Sequence, residues 1–464
     1  MHFSLNLLAL SALLLTDSLS SKTAGVAAAL VPDTESPPPA PSAVPSSAVV
    51  SPNNTTANYK SNPEFDTKYP LSKDPRTMRG VNLGGWLVLE PWITPDLFQQ
   101  FVSKPASEQA VDEYTFCQKL GQQECKSQLT KHWDTWVTRQ DIEKLASYGL
   151  THLRIPIGHW AYSADAFEPY VQGQAEYMEK AIGWAQEFGL KVIMDLHGAP
   201  GSQNGFDNSG RKGEVHFMDN QNSVDRVLES LRKMSTVAAK YPETVSHVQV
   251  LNEPANWALN VTRIFELYDK AYEIIKNTSP QTKMMVHDAF LPPEQVKQLI
   301  NNKQWKKDDG VVLDTHTYHV FASDLIQLDR EGHFRATDGS GKIVKAMTST
   351  TIPEITGEWS LATADCAKYL NGFLAGTRWE DTLANQPAIK CPKGQVCKCT
   401  GNNGNDPKKW TPDYKEFLKE FARAQLSAYE SGRGWMFWNF KTENTHAPQW
   451  DYMYLAENGY IPRF

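Results

Sequence analysis

Val245-Ser-His-Val-Gln-Val-Leu-Asn-Glu-Pro254 is the stretch that decides the fold. Its first seven residues form a short, largely apolar run, as in a strand covered on both faces, which gives way abruptly to Asn252, Glu253 and Pro254. The same arrangement recurs along the chain. Arg79–Gly84, His152–Ile157 and Lys191–Leu196 precede it, and Lys283–His287, Val311–Thr315, Ile352–Gly357 and Gly434–Asn439 follow. Helical patterns separate these runs. Thr138 caps one that passes through Ile142 and Leu145 and stops at Gly149. Gln174–Phe188 is a second, ending at Gly189. Thr411 caps a third, with Pro412 at the first helical position, Phe417, Leu418 and Phe421 at helical spacing, and Gly432 beyond. Eight strands alternating with helices predict an α/β fold, a (β/α)8 TIM barrel with catalytic residues at the C-terminal strand ends.

Composition agrees with one large domain. The chain has 464 residues, 41% of them hydrophobic, and a net charge of -7 that leaves no basic footprint for nucleic acid. Fourteen tryptophans are more than packing usually needs, and their faces suit sugar rings. Residues 1–20 read as a signal peptide, because Leu5 to Leu15 is an apolar run too short to span a membrane. Residues 21–68 are rich in Pro, Ser, Ala and Thr and read as a disordered linker or pro-segment, so the catalytic domain is expected over 69–464. No second apolar stretch follows and the C-terminus carries no lipid-anchor tail, which leaves no expected membrane span.

Cysteines place the chain in an oxidising compartment. Cys117, Cys125, Cys366, Cys391, Cys397 and Cys399 allow many pairings among which sequence cannot choose. A metal site at Cys391, Cys397 and Cys399 lacks paired C-x-x-C spacing, so disulfides are favoured. Residues 362–411 hold four of the six and read as a disulfide-pinned loop between the seventh and eighth strands. Sequons at Asn53, Asn54, Asn260 and Asn277 fit a secreted glycoprotein, extracellular or in a cell wall.

Polar residues should cluster where each apolar run ends, and they do. The second strand carries Arg154 and the third ends in Asp195-Leu-His197-Gly198. The fourth ends in Asn252-Glu253-Pro254 and the sixth in His316-Thr-Tyr318. Glu358-Trp359 and Trp438-Asn439 close the seventh and eighth. Glu253 and Glu358 thus lie at the fourth and seventh strand ends, nearly opposite across the barrel mouth. Two carboxyl groups, one protonated and one ionised, are what glycoside hydrolysis requires. His159, His287 and His319 also lie near strand ends and read as structural. Gly339-Ser-Gly-Lys342 lacks the upstream Gly and the Ser/Thr of a phosphate loop, and no Gly-x-Ser-x-Gly or His-Glu-x-x-His is present. No metal or organic cofactor is required.

Several stretches carry a family resemblance. Arg79-Gly-Val-Asn-Leu-Gly-Gly-Trp-Leu-Val-Leu-Glu-Pro-Trp92 resembles the opening of fungal exo-β-1,3-glucanases of glycoside hydrolase family 5, as does the run from Leu196-His197-Gly198 through Phe206-Asp207-Asn208. Leu251-Asn-Glu-Pro254, Gly357-Glu-Trp-Ser360 and Trp438-Asn-Phe-Lys-Thr-Glu443 are similar to later motifs, in family order. The resemblance implies a retaining exo-β-1,3-glucanase that releases glucose from the non-reducing end by double displacement, with Glu253 as acid/base and Glu358 as nucleophile about 5 Å apart. It also implies that Asn252 bonds the sugar 2-hydroxyl, that Tyr318 holds Glu358 ionised, and that His316 tunes the acid/base. The charge of Arg154 is expected to lower the pKa of Glu358. By the same resemblance Glu90 and His197 contact the terminal glucose, with Asp207 and Asn208 beside them and Trp438 as its floor. Phe206 and Phe321 resemble an aromatic clamp on the next sugar.

The expected partner is a β-glucan polysaccharide or oligosaccharide, and the chain is expected to act as a monomer. A β-1,6-glucanase or glucan transglycosylase would use the same residues. An inert glucan-binding wall protein would show decay of a catalytic carboxylate or its supports, and both glutamates, Arg154, His197, Asn252 and Tyr318 are in place. The Cys391–Cys399 cluster matches no family pattern and leaves linkage preference to the outer loops.

Overall fold

The computed structural model describes residue 59 and residues 62–308, 310–392, 395–401 and 404–464. The expected signal peptide and the sequons at Asn53 and Asn54 lie outside the described residues. Eight parallel strands close into a barrel in chain order: β1 (Met78–Asn82), β2 (His152–Gly158), β3 (Lys191–Gly198), β4 (Val245–Gln249), β5 (Lys283–His287), β6 (Val312–Thr317), β7 (Glu354–Trp359) and β8 (Gly434–Phe437). The expected (β/α)8 barrel is therefore the fold. Every strand end falls within two residues of the apolar run that predicts it. The ladder of β4 stops at Gln249, but the chain stays extended, because Val250 N–H bonds Met285 O and Asn252 N–H bonds Leu196 O, each at 3.0 Å.

The helices begin where their caps predict. Thr138 and Asp141 exchange side-chain and backbone hydrogen bonds at the start of Arg139–Ser147, and Thr411 accepts from Tyr414 N–H at the start of Pro412–Tyr429. The expected linker is corrected at its C-terminal end. Asn62 caps a helix over Pro63–Lys68, and Phe65 packs 4.8 Å from Tyr69 and 5.6 Å from Phe334.

Side chains alternate along a strand, so inward positions stack in layers. The lower layer is apolar: Met78, Ile193, Met285, Val312, Ile355 and Met436. Two residues further along the same strands the inward positions turn polar or small, with Asp195 after Ile193, His287 after Met285, Asp314 after Val312 and Gly357 after Ile355. Gly357 is required there, since a Cβ would lie 2.0 Å from Asp314 Oδ1. A register shift between Thr315 and His316 then sets His316 against Glu358 instead of Gly357. That irregularity turns the Glu358 side chain into the barrel mouth.

Residues 362–411 form a loop with a single 3-10 turn, Pro407–Lys409, among the described residues. Disulfides Cys366–Cys399 and Cys391–Cys397 pin it, and Cys117–Cys125 spans a break at Gly121 in the helix Glu113–Trp136. Ile326, Ala364, Cys366 and Trp379 give the loop a small core of its own. Asn260 and Asn277 stand exposed at opposite ends of the helix Val261–Thr278. No helix among the described residues is long and apolar enough to cross a membrane.

Candidate active site

At the centre of the mouth, fully buried Arg154 organises four strand ends. Its Nη1 donates to Glu358 Oε1 at 2.9 Å and to Asn82 Oδ1 at 2.8 Å. Its Nη2 donates to Asn252 Oδ1 at 2.7 Å and lies 3.1 Å from Asp195 Oδ2, while Nε donates to Gln249 Oε1 at 2.7 Å. A planar guanidinium with five fixed donors suits such a junction, and a flexible ammonium would not. Asp195 in turn bonds His197 Nδ1 at 2.6 Å, and the His197 ring stacks on Trp438 with centroids 5.5 Å apart.

His316 joins the two glutamates. Its Nδ1 is 2.7 Å from Glu253 Oε1 and 3.4 Å from Glu358 Oε2, and its Nε2 is 3.2 Å from Asp314 Oδ2. Tyr318 donates its hydroxyl to Glu358 Oε2 at 2.8 Å, and Asn208 Nδ2 lies 3.4 Å from Glu253 Oε2. Glu253 occupies the left-handed backbone region with φ 46°, where a non-glycine residue is strained and functional residues are often found.

Charge follows from this crowding. Burial works against a charged imidazole, yet Glu358, Asp314 and Glu253 raise His316 well above its ordinary value. Burial alone would also raise Glu253, but the hydrogen bond and charge of His316 outweigh it and hold that carboxyl at about 2. Glu358 is raised by burial, against the pull of His316 and Arg154. Arg154 thus exerts the expected downward pull on Glu358, and burial outweighs it. Both shifts favour a charged His316 beside an ionised Glu253.

The remaining candidates surround this pair. Glu90, Phe206, Asp207, Phe321 and Trp438 line one cavity of about 620 Å³ with Glu253 and Glu358, a size usual for ligand pockets. Glu90 accepts from Trp92 Nε1 at 3.0 Å, but its Oε1 has no protein partner, nor has Asp207 Oδ2. Burial, with Asp207 and Glu358 nearby, raises Glu90 well above the usual carboxylate range; burial raises Asp207 to about 6. Phe206 and Phe321 are each 42% exposed, which excludes core packing for both.

Sequence reasoning missed the layer beneath. Asn82 ties β1 to the Gly357 carbonyl of β7, and Gln249 donates to Asp314 Oδ2 at 2.7 Å. The signal was there, as amide and carboxyl side chains inside otherwise apolar runs. His159 and His319 stand away from the pair, bonded to Glu168 and His333. His287 does not, for its ring centroid is 4.6 Å from that of His316. Glu253, His287 and His316 offer ligand atoms within 4.8 Å of one another. Both His316 nitrogens face carboxylates, and His287 Nδ1 accepts Ala289 N–H at 3.0 Å while its buried Nε2 has no hydrogen-bond partner.

A parallel barrel with paired acids at the ends of its fourth and seventh strands defines a glycoside hydrolase. The chain belongs to the Cellulase family, glycosyl hydrolase family 5, whose model matches residues 117–379. It is 42% identical over 389 residues to a glucan 1,3-beta-glucosidase of Blumeria graminis, covering 83% of this chain and 87% of that protein. With a glucan 1,3-beta-glucosidase of Kluyveromyces lactis it shares 37% over 409 residues, 85% of this chain and 91% of the other. The crystal structure of a rutinosidase from Aspergillus niger superposes with a TM-score of 0.63 at 19% identity, over 83% of this chain and 99% of that one, a likeness of fold.

Proposed function

We propose that the protein is a secreted, monomeric, retaining exo-β-1,3-glucanase that removes glucose from the non-reducing end of β-1,3-glucans. The observation that carries this reading is the convergence of Glu253 and Glu358 on one atom. Their nearest oxygens, at 2.7 and 3.4 Å from His316 Nδ1, are no further apart than those distances combined. That bound admits the roughly 5–5.5 Å carboxyl spacing of a retaining pair. The substrate class rests on the relatives named glucan 1,3-beta-glucosidase. The unpartnered oxygens of Glu90 and Asp207 suit the hydroxyls of a terminal sugar.

In the first step the His316 proton moves along its 2.7 Å hydrogen bond to Glu253. This leaves His316 neutral and withdraws the charge that held Glu253 low. Glu253 then protonates the leaving oxygen as Glu358, kept ionised by Arg154 and Tyr318, attacks the anomeric carbon. The glycosidic bond breaks and an ester to Glu358 forms. In the second step Glu253, now the base, takes a proton from water while the water oxygen attacks the same carbon. The ester breaks, and glucose leaves with its configuration retained.

Proton NMR of a laminarin digest tests both claims. Glucose should be the sole early product and appear first as the β-anomer. An oligosaccharide ladder would refute exo action, and initial α-glucose would refute retention.

A further inference from the structure

Beyond the catalytic pair, one wall of the pocket continues as a row of solvent-facing rings. Phe206, Trp257 and Phe290 all line the cavity that holds Glu253 and Glu358, with Trp257 59% and Phe290 36% exposed. Ring centroids step 6.2 Å from Phe206 to Trp257 and 5.4 Å from Trp257 to Phe290. The planes turn by 41° at the first step and 35° at the second. A contiguous apolar face of this kind in an open cleft marks a binding surface.

The row is built to hold its shape. Asn256 Nδ2 donates to Ala289 O at 2.7 Å, tying the loop that carries Trp257 to the loop that carries Phe290. Ala289 and Phe290 both occupy the left-handed region, with φ 56° and 57°, which side chains other than glycine avoid. Hydrogen bonds sustain that strain: Ala289 N–H to His287 Nδ1 at 3.0 Å and Phe290 N–H to Asp288 Oδ1 at 2.7 Å. Thr315 Oγ1 donates to the other Asp288 oxygen at 2.8 Å. Strained residues of this kind cluster at functional sites, ligand clamps among them. The same cavity is also lined by polar Lys212, Asn371, Arg378 and Gln386, with Leu370 and Leu383 among them.

We infer that Trp257 joins Phe206 and Phe290 into an acceptor-side shelf for successive sugars of a curved glucan chain, and that Trp257 sets the preference for longer chains. Sugars present C–H faces to aromatic rings and hydroxyls to polar groups, so a chain lying on the shelf can stack on the rings and turn hydroxyls toward the polar lining residues. A β-1,4 chain is a nearly flat ribbon, poorly matched to rings whose planes differ by 41° and 35°. A β-1,3 chain coils and can turn with them. The inference rests on the hydrolase reading above and adds chain length and curvature to it.

The test is calorimetric titration of laminaribiose, laminarihexaose and cellohexaose into the Glu358→Gln protein, with and without Trp257→Ala. Laminarihexaose should bind about tenfold more weakly once Trp257 is removed, relative to any change for laminaribiose, and Trp257→Phe should recover most of the loss. Cellohexaose should bind more weakly than laminarihexaose with Trp257 present. Equal losses for biose and hexaose, or no loss for either, would overturn the shelf. The indole is exposed, so the variant should keep its melting temperature, and a drop in it would assign the effect to folding and count against the inference. Hydrolysis of laminari-oligosaccharides by the unsubstituted protein is scored separately. If it is absent while the binding difference persists, the hydrolase reading fails and the shelf stands.

Discussion

In the proposed mechanism the 2.7 Å contact between His316 and Glu253 makes the acid/base a property of two side chains. Because neighbouring carboxylates raise His316 well above its ordinary value, the pair keeps its proton to higher pH than Glu253 alone would. Activity should be present below the raised value and lost as pH rises through it. In His316→Gln the proton has only Glu253 to sit on, so the basic limb of the kcat/KM profile should move down by about one to three pH units. An unmoved limb would show that His316 merely fills space. At the acidic end, Glu358 is raised by burial and must ionise to attack, so activity should fall as pH drops through its value. Tyr318→Phe removes a 2.8 Å donor from that carboxylate, and kcat should drop about 10- to 100-fold with that limb displaced upward.

Strand β7 carries both the proposed nucleophile Glu358 and, at its start, Glu354, which is 3% exposed and has an oxygen without a hydrogen-bond partner. Burial, with Asp288 and Asp314 near, raises Glu354 to about 8. The folded state therefore holds a proton that the unfolded chain releases near pH 4.5. Stability from this group is complete below that value and declines as pH rises through 8. Glu354→Gln should gain on the parent between pH 5 and pH 8 by a few kcal/mol at most, read as a widening gap in melting temperature. A gap that does not change with pH would place the proton elsewhere. Strands of this kind were the most legible part of the sequence. Apolar runs, caps at Thr138 and Thr411 and polar residues at strand ends carry local physics that survives without tertiary context. Less legible was what depends on register. The shift between Thr315 and His316 that points Glu358 inward has no sequence signature, nor has the closeness of His287 to His316. Trp257, five residues after Asn252, gave no periodic signal at all.

For the molecule as a whole, the loop over 362–411 supplies part of the lining of the cavity that holds the aromatic row. Leu370, Asn371, Arg378 and Gln386 come from it, and Cys366–Cys399 closes 33 residues of it. In the chain-entropy account a bridge of that span is worth about 3–4 kcal/mol. Replacing both cysteines with serine should loosen the loop first, visible as faster proteolysis within it. KM for laminarin should rise several-fold while turnover of an aryl β-glucoside, which needs only the inner pocket, is retained. Loss of both activities together would mean that the bridge holds up the barrel rather than one wall of its cleft.

Trp257 has a consequence for light as well as for sugar. Of the fourteen tryptophans, it is the one that stands more than half in water, while Trp86, Trp133, Trp160, Trp305 and Trp359 are among those fully buried and Trp184 is half-buried. A collisional quencher dissolved in the buffer therefore reaches one indole far more readily than the rest, and the quenched part of the emission belongs to the mouth of the cleft. The molecule carries its own optical gauge of whether that mouth is covered.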